Sequence, residues 1–270
     1  MHISLHLLLE FSTRNRYLLK MNFLAKSLHQ YFANISGIAV ILLGLGLPPK
    51  ILETLLWANG YTPDNVEMMF ALVFVILVPL MGAGIALLWK SWQTNERLKP
   101  LAVIIEASTY LGPLISLYIS ISLIVLGWAT VCMIPGFILK HFMNVSNPAF
   151  FIPFLIPAVV IYCRYFCVVN AVVVLENLHG FQARQRCREL TQKGFNKHLT
   201  VVAILIAIST ALDYGATPIA NEVAKAIPGM LASTYIIVSA IGFLFDGFSL
   251  VVFLNIYDSV KSKTTSETPS

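Results

Sequence analysis

The sequence predicts an all-α, polytopic integral membrane protein with six transmembrane helices and accessory amphipathic helices at the interface. Three observations carry that reading. Of 270 residues, 57% are hydrophobic and only 11% charged, too little charge to clothe a water-facing domain, which carries roughly a quarter. Six apolar segments recur at about 34–57, 67–90, 107–133, 149–176, 198–217 and 232–257, each near the ~20 residues a helix needs to cross ~30 Å of hydrocarbon. Of eighteen Lys and Arg residues, fourteen fall in the segments on one side of this ladder of spans and two on the other.

Residues 1–33 form the N-terminal segment. Met1–Leu9 is apolar and precedes Arg14, Arg16 and Lys20, the reverse of the order in a secretory leader, so no cleaved leader is expected and residues 1–20 read as an upstream extension. From Met21 onward Leu24, Leu28 and Tyr31 share a helical face that Lys26, His29 and Gln30 avoid. That pattern predicts a helix lying along a membrane surface.

The transmembrane unit is expected over 34–257. Pro48 and Pro49 should kink the first span or end it early, and Pro135 and Pro228, each in an Ile-Pro-Gly step, should end the third and fifth. Small residues recur every fourth position as Ser108, Gly112, Ser116 and Ser120 in the third span and as Ala203, Ala207, Ala211 and Gly215 in the fifth. Such stripes let helices approach closely in lipid, so these two spans are expected at the centre. Ile219, Val223 and Ile227 suggest a short amphipathic helix beyond the fifth span. Trp57, Trp89, Trp92, Tyr110, Tyr235 and Tyr257 lie near span ends, as in an aromatic belt. Residues 258–270, rich in Ser and Thr, are expected to be a disordered tail.

The basic residues sit in the N-terminal segment (Arg14, Arg16, Lys20, Lys26), the second loop (Lys90, Arg97, Lys99), the fourth loop (Arg184, Arg186, Arg188, Lys193, Lys197) and the tail (Lys261, Lys263). Lys140 and Lys225 are alone on the other side. The positive-inside rule then places both termini in the cytoplasm. The positive charge carries no nucleic-acid motif, so a phosphate-backbone reader is excluded.

Arg164, Asp213 and Asp246 are the charges expected deep within spans. A central charge costs about 2.5–3.5 kcal/mol even on the lenient insertion scale, so each needs a partner. Similar depth pairs Arg164 with Asp246, with Asp213 as second choice, and Asn170 on the helix of Arg164 extends the polar lining. The group reads either as a clamp between helices or as an intramembrane polar site. From Phe181 to Phe195, Ala183, Cys187, Leu190 and Gly194 form a stripe that Arg184, Arg188 and Lys193 avoid. This basic helix, with Arg186 and Lys197, is expected to lie on anionic lipid headgroups.

The run Val172–Gly194, with Glu176, Ala183, Arg186, Leu190, Thr191 and Gly194, resembles the signature of a broad group of uncharacterised bacterial six-helix membrane proteins. The group includes YciC-type proteins and the membrane domain attached to some glycerophosphodiester phosphodiesterases. The resemblance implies a bacterial inner-membrane protein without an assigned activity, and no phosphodiesterase domain accompanies it here.

No catalytic constellation is present in the sequence. The six histidines are dispersed, and there is no HExxH, G-x-S-x-G or P-loop. Cys132, Cys163, Cys167 and Cys187 lack zinc-site spacing. Neither an enzyme, a metal nor a cofactor is expected. The function this favours is a membrane scaffold or regulatory partner of another membrane protein; the alternative is a transporter or lipid-handling protein with a polar site around Arg164.

Overall fold

A computed structural model describes residues 23–58, 63–96, 98–143, 152–192, 195–227 and 229–266. These are helical nearly throughout. A helix over residues 23–33 (α1) is followed by α2 (Ile35–Ala58), α3 (Pro63–Gln93), α4 (Pro100–Ser108), α5 (Leu111–Met143), α6 (Ile152–Leu175), α7 (Gly180–Gln192), α8 (Leu199–Ala226) and α9 (Leu231–Ser266), with a short 3-10 turn at Phe195–Lys197 before α8. α2, α3, α5, α6, α8 and α9 are each long and apolar enough to cross a membrane. The protein is therefore all-α with six candidate spans, as the sequence predicts.

Most helix ends follow from local chemistry. α3 stops at Asn95, which adopts φ 57°, while Glu96 N–H returns to Ser91 O at 3.0 Å, a Schellman closure. α4 opens with Pro100 in its first turn after an extended Lys99. Pro113 cannot donate to Thr109, and the chain breaks between α4 and α5 at that point. α6 ends before Asn177 (φ 53°) and Gly180 (φ 55°), two left-handed residues that turn the chain back so that α7 packs beside α6.

The core lies elsewhere than the small-residue stripes suggest. In its most apolar stretch 61% of α3 is buried, and 56% of α6 and 44% of α9, against 11% of α5 and 17% of α8. α5 packs mainly on α6, and α8 mainly on α9. The helices expected at the centre are thus peripheral, because their small residues share faces with large exposed ones: Leu123, Leu126 and Val131 on α5, Ile204 and Ile208 on α8. Close approach is made instead by α2 on α9, where a Cβ on Gly46 would stand 2.8 Å from the Phe243 ring.

Several sequence expectations need correction. Pro135 does not end the third span but lies inside α5, and Pro48 and Pro49 do not end the first early, since α2 runs through them to Ala58; within an apolar helix neighbouring elements can satisfy the carbonyls a proline frees. Ile219 and Val223 belong to the end of α8, with no separate surface helix. α8 ends at Ala226, with an extended Ile227 after it and Gly229 at φ 92°, while Pro228, expected to end the fifth span, lies outside the described residues. α1 docks on α9 rather than lying free: Tyr31 O–H donates to Leu244 O at 2.8 Å, and Asn255 Nδ2 donates to Ser27 Oγ at 3.0 Å and Gln30 Oε1 at 2.8 Å. Its inward face therefore carries Ser27 and Tyr31, while Leu28 stays exposed. The tail is helical to Ser266, because Tyr257 and Val260 are buried in the bundle. Trp89, Tyr235 and Tyr257 are buried rather than part of a belt, two of them with hydroxyls bound to charged side chains. Residues 1–20, Arg97, Lys193, Gly194 and the last four residues lie outside the described residues.

Candidate functional site

All six candidate spans contribute to one internal cavity of about 250 Å³. Its polar groups come from four helices: Tyr118 on α5, Tyr162 and Asn170 on α6, Ser209, Thr210 and Asp213 on α8, and Asp246 and Ser249 on α9. Its apolar wall is largely aromatic. Tyr162 stacks on Phe166 at 5.2 Å between centroids, and Tyr118 and Phe253 meet the same Phe166 ring edge-on at 6.0 and 6.2 Å.

Helical periodicity places these groups. Ser209 and Asp213 are four residues apart on α8, and Asp246 and Ser249 three apart on α9, spacings that align side chains on one face. The two faces meet where the Ser209 hydroxyl donates to Asp246 Oδ1. Asp213 is exposed, at the rim of the cavity, and lies against α9, where a Cβ on Gly242 would stand 3.6 Å from its Oδ1. Asn170 is only 6% exposed. Its Oδ1 accepts a long 3.4 Å hydrogen bond from Tyr118, and its amide lies over Gly82, whose missing side chain makes the space.

The expected Arg164–Asp246 pairing does not form. Arg164 Nη2 donates to Asn196 Oδ1 at 2.8 Å, in the turn before α8, and no described carboxylate pairs with it. Depth matching along straight helices misses this because the long Arg stem carries its charge several ångströms from its Cα, toward the polar end of the bundle. Asp246, Asp213 and Asn170 do come together, around the cavity and without Arg164. The sequence reading missed Ser209, Tyr118, Tyr162 and Phe166, although the one-face spacing of Ser209 and Asp213 was a usable signal.

A second polar group flanks the aromatic rim. Lys50 Nζ lies 3.0 Å from Glu53 Oε2 and donates to Tyr235 Oη at 2.8 Å. It also sits over the Phe74 ring, 5.2 Å from its centroid, and Phe74 stacks on the cavity-lining Phe243 at 6.3 Å. Lys50 thus stands behind a pair of rings, one of which lines the cavity.

At the basic end, α7 is held into the bundle. Ala183, Cys187, Leu190 and Thr191 are buried, the stripe read from sequence with Thr191 added. Arg186 binds Glu176, Arg184 Nη1 reaches Ser120 Oγ at 3.4 Å, and Arg188 and Lys197 are exposed. Of the expected headgroup-binding set, then, Arg186 is engaged in the fold and only Arg188 and Lys197 are seen pointing outward. Burial alone would raise Glu176, but the hydrogen bonds from Arg186 and Tyr257 and the charges of Arg186 and Lys261 hold its carboxyl below the ordinary value. Burial, aided by the Glu176 charge, pushes the Cys187 thiol up to about 12.

No group of three or more His, Cys, Asp or Glu side chains arranged to hold a metal occurs among the described residues. No family model matches the chain, and no curated protein and no solved structure matches it either. Architecture and site together define a class, a multi-pass helical membrane protein with a polar cavity bounded by its spans.

Proposed function

We propose that the chain is a carrier or receptor for a small solute, bound in the cavity between the six spans. The observation that supports this is the cavity itself, which sets two carboxyl groups, the hydroxyls of Ser209, Thr210 and Ser249 and an amide against aromatic walls inside a lipid-facing bundle. Ionisable groups so placed mark solute and ion routes more often than inert packing. The scaffold reading has weaker support: it rests on exposed apolar faces of α5 and α8, and lipid covers such faces equally well. In this reading the membrane is a bacterial inner membrane, the fourteen-to-two bias of Lys and Arg puts both termini in the cytoplasm, and the Val172–Gly194 run favours kinship with the YciC-type group.

Solvent access to the cavity is the test. With Cys132 replaced by Ser, Ser209→Cys introduces a thiol on the cavity wall, while the native Cys163, Cys167 and Cys187 are buried. A small water-soluble thiol reagent should modify position 209 in native membranes. Reactivity no greater than that of the three buried cysteines would show a dry bundle and defeat the carrier reading.

A further inference from the structure

Resting on the reading of the cavity as a solute site, we infer that its ligand is an organic cation: an ammonium group borne on a compact apolar or aromatic body. Charge bookkeeping comes first. Asp213 and Asp246 line the cavity, and Glu53 lies beyond its aromatic rim, so three carboxyl groups share this part of the bundle. The ammonium beside them is Lys50, already bound to Glu53 at 3.0 Å and to Tyr235 at 2.8 Å. Arg164 turns away to Asn196. Asp246 keeps a hydroxyl partner, Ser209, but gains no cation among the described residues. A carboxylate in such surroundings either holds a proton or takes a cation from outside. An anionic solute would meet two acids of its own sign.

The walls select among cations. Phe166 gathers Tyr118, Tyr162 and Phe253 around it into one aromatic surface, and all four line the cavity. Ring faces attract ammonium groups and give apolar carbon a place to pack. A hard inorganic cation such as Ca2+ or Mg2+ takes about six or more oxygen ligands at short range, and this lining offers mostly carbon. At ~30 Å³ per water, the 250 Å³ space holds about eight water volumes, room for a body as well as a charge. Asn170 supplies the orienting group: it is buried among the lining residues, and among the described residues its Nδ2 donates to no acceptor and its Oδ1 is held by no more than the 3.4 Å contact from Tyr118. An ammonium head at Asp246 with a ring against Phe166 uses both halves of the site.

The full chain in lipid nanodiscs would be titrated with phenethylammonium, with neutral 2-phenylethanol, with phenylacetate and with sodium chloride at matched ionic strength, reading thermal stability and binding heat. Phenethylammonium should bind and stabilise, the alcohol at least about tenfold more weakly, as loss of one charge-assisted contact requires, and phenylacetate and sodium not at all. Asp246→Asn should weaken the ammonium by about tenfold or more while leaving the alcohol unchanged. Should that variant fail to fold, Asp213→Asn at the rim gives the same comparison. Equal binding of alcohol and ammonium, or a stabilisation reproduced by sodium alone, would overturn the organic-cation assignment while leaving a solvated cavity standing. A dry position 209 would instead remove the cavity reading, so the two failures are distinct.

Discussion

Arg186 grips Glu176 with two nitrogens, Nε to Oε2 at 2.7 Å and Nη2 to Oε1 at 3.3 Å, across the turn that folds α7 back on α6. The same carboxylate accepts the Tyr257 hydroxyl at 2.6 Å and has Lys261 Nζ at 3.4 Å. One acid at the end of α6 therefore ties α7 and α9 together. Two-point contact with a guanidinium fixes orientation as well as charge. Glu176→Ala leaves Arg186 and the buried Tyr257 hydroxyl without their shared acceptor. Because the arginine is still 23% exposed, solvent recovers part of the loss, and we expect a cost of about 1–3 kcal/mol. Chemical denaturation in detergent checks this, and Arg186→Lys should fall between wild type and Glu176→Ala.

The Glu176 carboxyl also sets an acid limit. Its folded-state pKa is depressed below the ordinary 4.5, so the stability it contributes is fully present above that value and is lost as pH falls through the lower, folded value. Between pH 5 and 7 this contact should add no pH dependence. Below pH 4.5 α7 should loosen, read as faster proteolysis after Arg184 or Arg188. Glu176→Gln should remove that part of the acid sensitivity, and an unchanged acid profile in the variant would contradict the assignment.

Cys187 reports on the same latch. With its thiol pushed up to about 12 by burial, its reactive thiolate is depleted about a thousandfold at pH 8 relative to an ordinary cysteine, and α7 also shields it sterically. Maleimide should leave Cys187 unmodified in the native protein, as shown by peptide mass mapping. Arg186→Ala or Glu176→Ala should expose it. Rapid labelling of Cys187 in the wild type would mean that α7 is not held against the bundle.

Orientation is open to the same chemistry. Arg188 is exposed on α7 and tolerates replacement on packing grounds. Under the positive-inside rule, Arg188→Cys should react with an impermeant thiol reagent in inside-out vesicles and not in intact cells. The converse pattern would invert the topology and remove the cytoplasmic assignment of the termini.

Six spans were legible because hydropathy and length are local properties that lipid enforces residue by residue, and the α7 stripe was legible because Ala183, Cys187 and Leu190 follow helical spacing. Partners were not. Arg164 found Asn196 rather than Asp246 because side-chain reach and helix arrangement, absent from a linear count, decide which polar atoms meet. Pro135 failed as a stop signal because within an apolar helix neighbouring elements can satisfy the carbonyl a proline frees, and α5 continues through apolar residues on both sides. Tyr257 looked like a belt residue since sequence places it at a span end, yet its hydroxyl turns inward to an acid on another helix. Asp246 and Asp213 were recognised as costly, and their joint placement at a cavity depended on Ser209 and Phe166, whose types alone give no warning.

The α2–α9 interface yields the last prediction. A Cβ built on Gly247 would lie 2.5 Å from Leu42 Cδ1 and 2.7 Å from Ile38 Cγ2, whereas one on Gly127 meets nothing within 4 Å. The Leu42 tip can rotate aside, but Ile38 is β-branched and fully buried, so its methyl has little freedom to yield. Gly247→Ala should therefore push α2 from α9 and cost about 1–3 kcal/mol as an overpacking change, while Gly127→Ala on exposed α5 should be neutral or slightly stabilising. Since Leu42 and Asp246 both line the cavity and Gly247 adjoins Asp246, the same substitution should also weaken ammonium binding without altering any charge. If Gly247→Ala unfolds at the wild-type denaturant concentration and binds phenethylammonium as before, the close approach of these two helices does not shape the site.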